Sequence, residues 1–193
     1  MALDPRSFHQ AAVTDTCSVW NMLSSRRLYQ ATITAKLHFC MTPMVLYECL
    51  HKPRKSLNEK KSEMIDRLER ARRNGGFPTQ DCDLEDLLDV ARLAPKGLGS
   101  GELSCIATAY RIRSIAFMTD EKKARVFAER DLKLDVETTP KLYAWLLYKH
   151  HLGSGDHAEV LREHEHFEER PLTRYMQDAY VEAMRCQTLS RAI

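Results

Sequence analysis

The sequence predicts an α/β fold: a short parallel sheet in a three-layer α/β/α sandwich, followed by a C-terminal helical appendage. Three observations carry this. Short apolar, β-prone runs alternate with segments of helical periodicity as far as about residue 150. Strands joined through helices form parallel sheets covered on both faces. A chain of 193 residues, 44% hydrophobic and 29% charged, can bury a core without metal or disulfide staples.

The elements follow in order. Gln10 to Thr14 is a short apolar run ending at Asp15, and a helix is expected from about Ser18 to Leu28. Leu37 to Met41 is a second strand. Thr42-Pro43 then supplies an N-cap and a first-turn proline for a short apolar helix, Met44 to Leu50. Ser56 to Arg73 carries Met64, Ile65, Leu68 and Ala71 on one stripe. Ser56-Leu57-Asn58-Glu59 reads as its capping box and Asn74-Gly75-Gly76 as its stop. Asp83 to Leu93 is amphipathic, Pro95 to Gly101 is a glycine-rich loop, and Glu102 to Arg111 is helical. Ser114 to Thr119 is the strongest strand, Glu121 to Arg130 a helix, and Leu134 to Glu137 a fourth strand. Thr139-Pro140 caps a helix running to about His150. Gly153-Ser154-Gly155 breaks the chain, and two polar helices follow at about 156–169 and 172–191. This divides the chain into a domain at 8–152 and a helical extension at 153–193.

Composition excludes several classes. No apolar run spans a bilayer and Met1 to Gln10 lacks the apolar stretch of a signal peptide, so a cytoplasmic protein without membrane contact is expected. The six cysteines form no C-x-x-C pair, which argues against a zinc knuckle or a disulfide framework. A net charge of +2 is not that of a polycation, so attraction to phosphate must come from local clusters.

The acids carry the chemistry. Two strands end in Asp, at Val13-Thr14-Asp15 and Met118-Thr119-Asp120. Glu48 interrupts an apolar helical stretch, and Glu102 opens another. Alone, an Asp after a strand can be an N-cap and a Glu in a first turn can complement the helix dipole. Adjacent parallel strands would bring Asp15 and Asp120 to the same sheet edge, beyond the carboxyl ends, where α/β folds place their sites. Carboxylates about 6 Å apart repel by about 3 kcal/mol per pair at an effective dielectric near 20. A cation offsets this, and all-oxygen ligation suits Mg²⁺ or Mn²⁺.

In these motifs the chain resembles the PIN-domain nucleases. Val13-Thr14-Asp15-Thr16-Cys17-Ser18-Val19-Trp20 is similar to the family's first motif, and Glu48 to its second acid. Leu98-Gly99-Ser100-Gly101-Glu102-Leu103-Ser104-Cys105-Ile106-Ala107 is similar to the third, and Thr119-Asp120-Glu121 to the fourth. The resemblance covers roughly 10–150. It implies a metal-dependent endonuclease acting on RNA, leaving a 3′-hydroxyl and a 5′-phosphate. Asp15, Glu48, Glu102 and Asp120 would be its metal-binding carboxylates, with Thr119 orienting a carboxylate or water. Glu121 is either an outer acid or a solvent-facing residue. Many prokaryotic relatives are toxins paired with an antitoxin protein, and the longer segment at 52–82 and the region after about 153 depart from those compact toxins. The non-catalytic alternative is a PIN-like module that binds nucleic acid or protein.

Lys52, Arg54 and Lys55 directly follow the Glu48 helix and are the candidate RNA-backbone contacts. The basic helix behind them either extends that surface or is a solvated face held by pairs such as Glu63–Arg67 and Asp66–Arg70. The glycine loop fits neither phosphate-loop pattern. The late histidines 150, 151, 157, 164 and 166 read as a solvated polar helix rather than a zinc set. The acidic C-terminal region is expected to serve packing or assembly, as in a homodimer. A dehalogenase-type phosphotransferase would need Asp where Cys17 stands, and the acidic pair and late lysine of a receiver domain are missing from this sequence.

Overall fold

The computed structural model describes residues 3–53 and 58–191. The fold is mixed α/β around a four-stranded, all-parallel sheet in the order β2-β1-β3-β4: β1 Ala11–Thr14, β2 His38–Cys40, β3 Ala116–Met118 and β4 Val136–Glu137. Each crossover contains a helix, as parallel pairing requires. By contacts the chain forms two compact units: Met1–Phe8, Trp20–Leu37 and Thr138–Ile193 in one, His9–Val19 and His38–Glu137 in the other.

The second unit holds the sheet. Register pairs Thr14 with Met118, and the amide of Asp15 donates to the Met118 carbonyl at 3.1 Å. Residues 15 and 119 therefore leave the two central strands side by side. Val13 and Phe117 are fully buried, which is why these strands read as apolar runs rather than alternating ones. Helices α3 (Pro43–Leu46), α4 (Glu59–Arg73), α5 (Leu84–Leu93), α6 (Ser100–Arg111) and α7 (Lys122–Val126) complete this unit. Both α3 and α7 run on into π-helical turns, Tyr47–His51 and Phe127–Asp131.

The first unit is helical: most of α1 (Thr16–Ser24), with α2 (Arg26–Thr34), α8 (Thr139–Tyr148), α9 (His157–Phe167) and α10 (Thr173–Arg191). Its core takes Met22, Leu28, Leu142, Leu146, Val160, Met176 and Ala179, with α8 packed on α10. The two C-terminal helices thus share a unit with α2 and α8.

Four details differ from the sequence expectation. The helix expected at 18–28 is two helices, broken where Ser25 turns extended and its hydroxyl accepts from the Leu28 amide at 3.2 Å. The N-cap of α4 is Asn58, accepting from the Lys61 amide at 2.8 Å, while Ser56 and Leu57 lie outside the described residues. The cap of α8 is Thr138 rather than Thr139. His164 is not on a solvated face: it is fully buried, accepting from the Leu172 amide on Nε2 at 2.8 Å. Its Nδ1 therefore carries the proton and faces Ser24 Oγ at 2.7 Å. A short polar pattern does not reveal such a buried, hydrogen-bonded histidine, because its partners come from distant elements.

Candidate active site

At the carboxyl ends of β1 and β3 the chain stops alternating apolar residues and places polar ones. Asp15 follows β1 directly and is 2% exposed. Three donors surround its carboxylate. The Ser18 amide bonds Oδ1 at 2.8 Å, and the Thr119 hydroxyl bonds Oδ2 at 2.5 Å. The Cys17 thiol lies 3.2 and 3.1 Å from the two oxygens. The first comes from the start of α1, where free amides point at an anion. Thr119 also accepts from the Glu121 amide at 3.1 Å, so its hydroxyl hydrogen is committed to Asp15.

Burial outweighs these donors. It pushes the Asp15 carboxyl up to about 6, and the nearby charge of Asp120 adds to the rise, while Thr119, Ser18 and Cys17 act against it. The same burial and the two aspartates raise the Cys17 thiol far above its usual range, so it is a neutral donor rather than a nucleophile. Asp120 receives the Ser18 hydroxyl at 3.4 Å.

A second pair of acids comes from different elements. Glu48 lies in the π-helical turn after α3, closed by the Lys52 amide on the Tyr47 carbonyl at 2.8 Å. The Thr16 hydroxyl donates to its Oε2 at 2.6 Å; the Ser100 hydroxyl and Gly101 amide donate to its Oε1 at 3.3 and 3.2 Å. Gly101 leaves room for that carboxylate. A Cβ on it would come within 2.6 Å of Glu48 Oε2. Glu102, in the first turn of α6, accepts from the Gly99 amide at 2.5 Å and so caps its own helix. Partial burial raises its carboxyl; the Gly99 bond opposes this, Glu121 and Glu48 add to it, and Lys123 offsets part.

Asp15 is thus coupled to Asp120 and touched by Thr119, while Glu48 and Glu121 are coupled to Glu102. Thr16, adjacent to Asp15, links the pairs through Glu48. Among the described residues no three His, Cys, Asp or Glu side chains are grouped to hold a metal ion. The reason is visible in the rotamers: Glu48 is turned onto Ser100 and Gly101, and Glu102 onto Gly99. The donor chemistry, all oxygen and rich in carboxylate, fits a hard divalent cation. These side-chain positions do not gather it.

The candidate cations divide differently from the sequence expectation. Lys52 is exposed at the end of the turn that carries Glu48, while Arg54 and Lys55 lie outside the described residues. On α4, Arg67 is committed to Glu63 at 2.9 Å and Arg72 to the Phe77 carbonyl at 3.0 Å. The helix exposes Glu59, Asp66 and Glu69 among Lys60, Lys61, Arg70 and Arg73, a nearly balanced set of charges. Sequence reasoning missed Thr16, Ser18, Ser100, Gly101 and Lys123. The available signal was a run of hydroxyls and glycines flanking each acid. No helix among the described residues is long and apolar enough to cross a membrane. Among known proteins, no family model, no curated protein and no solved structure matches this chain.

Proposed function

We propose that this protein is a metal-dependent endonuclease that hydrolyses phosphodiester bonds in RNA, in a PIN-like sandwich fold. One observation carries the reading. Acids from four separate elements face one another in pairs at the carboxyl edge of a parallel sheet, and one of them, Asp15, is buried against its neighbour's charge. Such destabilised clusters are kept at functional sites rather than for stability.

Asp15, Glu48, Glu102 and Asp120 would hold the cation, Glu48 and Glu102 by leaving their present partners. A hard divalent ion there supplies Lewis-acid activation of water and charge stabilisation at the leaving oxygen. The chain's own residues do the rest. Thr119 donates to Asp15 Oδ2, and with Ser18 holds that carboxylate in one orientation. The Cys17 thiol closes the same side without competing as a base, because it stays protonated. Thr16 and Gly101 hold Glu48 against the start of α6 until it leaves those partners.

The test pairs binding with turnover. Calorimetric titration with Mn²⁺ should show uptake by the wild type and none by Asp120→Asn, and the same variant should lose RNA cleavage by at least about a hundredfold. Mn²⁺ uptake without cleavage of any RNA or DNA would favour a binding module. No uptake by the wild type would overturn the metal site.

A further inference from the structure

We propose that Lys123, in the first turn of α7, is the cation that receives a substrate phosphate beside the acids; this rests on the nuclease reading. A carboxylate cluster repels a phosphodiester, so a cation must stand near the acids as well as along the strand. The sequence pointed to the segment after Glu48, where Lys52 is exposed; on α4 behind it, Arg67 is paired with Glu63. The glycine-rich loop offers a second group of cations. Lys96 lies in it, and Lys122, Lys123 and Arg125 follow in the sequence, beside the acids Glu102, Asp120 and Glu121.

Geometry selects Lys123 among them. Its Nζ donates to the Lys96 carbonyl. A Cβ on Gly97 would come within 3.1 Å of that nitrogen, and Gly97 has φ +88°, so only a glycine lets the loop pass beneath the ammonium. Two residues further on, the Gly99 amide donates to Glu102. One four-residue loop therefore carries a lysine ammonium at its start and a site carboxylate at its end. The same ammonium acts electrostatically on Glu102, opposing the effect of burial. Lys123 is exposed, and the Lys96 carbonyl takes one of its three N–H donors. A compact point charge of this kind suits a single phosphate oxygen.

Binding readouts separate this role from a loop tether. The probes are Mn²⁺ alone, by calorimetry, and a single-stranded RNA oligonucleotide in Ca²⁺ across a salt series. Lys123→Ala should weaken RNA binding about tenfold and flatten the salt slope by about 0.7. It should also tighten Mn²⁺ binding, because a positive charge beside the acids is gone. Lys123→Arg should restore RNA affinity and slope. Wild-type RNA affinity and slope in Lys123→Ala would overturn the proposal while Mn²⁺ uptake leaves the nuclease reading standing. Joint weakening of RNA and Mn²⁺, without rescue by arginine, would mark a tether and overturn it too. If the wild type takes up no Mn²⁺ but Lys123→Ala still shows the RNA effect, the nuclease reading fails and the phosphate contact holds. RNA binding by no variant, wild type included, overturns both.

Discussion

Without metal, the stability gap between Asp15→Asn and the wild type should move toward the variant as pH rises from acid to neutral. The carboxyl of Asp15 is raised from an ordinary 3.8 to about 6 by burial, with Asp120 adding to the rise. A raised acid contributes its full stability below the unfolded pKa and loses it as pH climbs through the folded one. At 1.36 kcal/mol per unit, the wild type loses about 3 kcal/mol between roughly pH 4 and pH 6.5. The asparagine variant carries no such charge. Its own penalty, an amide where the carboxylate accepts from Thr119, Ser18 and Cys17, does not depend on pH. The gap between variant and wild type should therefore move by about 3 kcal/mol in favour of the variant between pH 4 and pH 7.5, or on the order of 5–10 °C in melting temperature. Urea and thermal melts of both proteins in chelator at the two pH values measure it. Added Mn²⁺ at pH 7.5 should reverse the order by stabilising only the wild type. A gap that is constant with pH, or that moves toward the wild type at high pH, would refute the charge-burial argument.

Further outcomes follow from other residues. Gly101→Ala should drive Glu48 from the N-terminus of α6, lowering stability by about 1–3 kcal/mol in a thermal melt. A Glu48→Ala, Gly101→Ala double variant should recover most of that stability in a mutant cycle, since the clash is with Glu48 itself. His164 is pulled down to about 4 by burial. Its contribution is full above pH 6.5 and is lost as pH falls toward 4, so the wild type should shed about 3 kcal/mol over that window while His164→Gln does not; parallel acid melts check this. Thr119→Val should leave Asp15 short of a donor, raising its pKa further and shifting any cleavage pH profile upward, whereas Thr119→Ser should keep the wild-type profile.

Asp15 and Asp120 were legible as strand-end residues because each closes an apolar run. Val13-Thr14-Asp15 and Met118-Thr119-Asp120 end buried parallel strands, and side-by-side parallel strands bring their ends together whatever the loops do. Glu48 stood out as one charge in a largely apolar stretch. What the pattern could not carry is how those acids are held. Thr16 and Glu48 are 32 residues apart, Thr119 and Asp15 are 104 apart, and periodicity contains nothing about pairs at such separations. The basic run after Lys52 could be counted along the chain, as an RNA surface or a solvated face, but its partners could not be read there. In three dimensions Arg67 pairs with Glu63 and Arg72 bonds the Phe77 carbonyl, while Lys123 reaches the Lys96 carbonyl in the glycine loop.

By itself, then, the sequence determined the α/β class, the parallel strands and the acids at their ends. These follow from local burial and backbone propensity, which each short segment expresses alone. Only the tertiary structure decided that Ser25 splits a helix, that His164 is buried and neutral, and that Glu48 and Glu102 lean on the N-terminus of α6 rather than on Asp15 and Asp120. Those outcomes depend on which distant donor reaches a buried polar atom first, and a buried polar atom must find one.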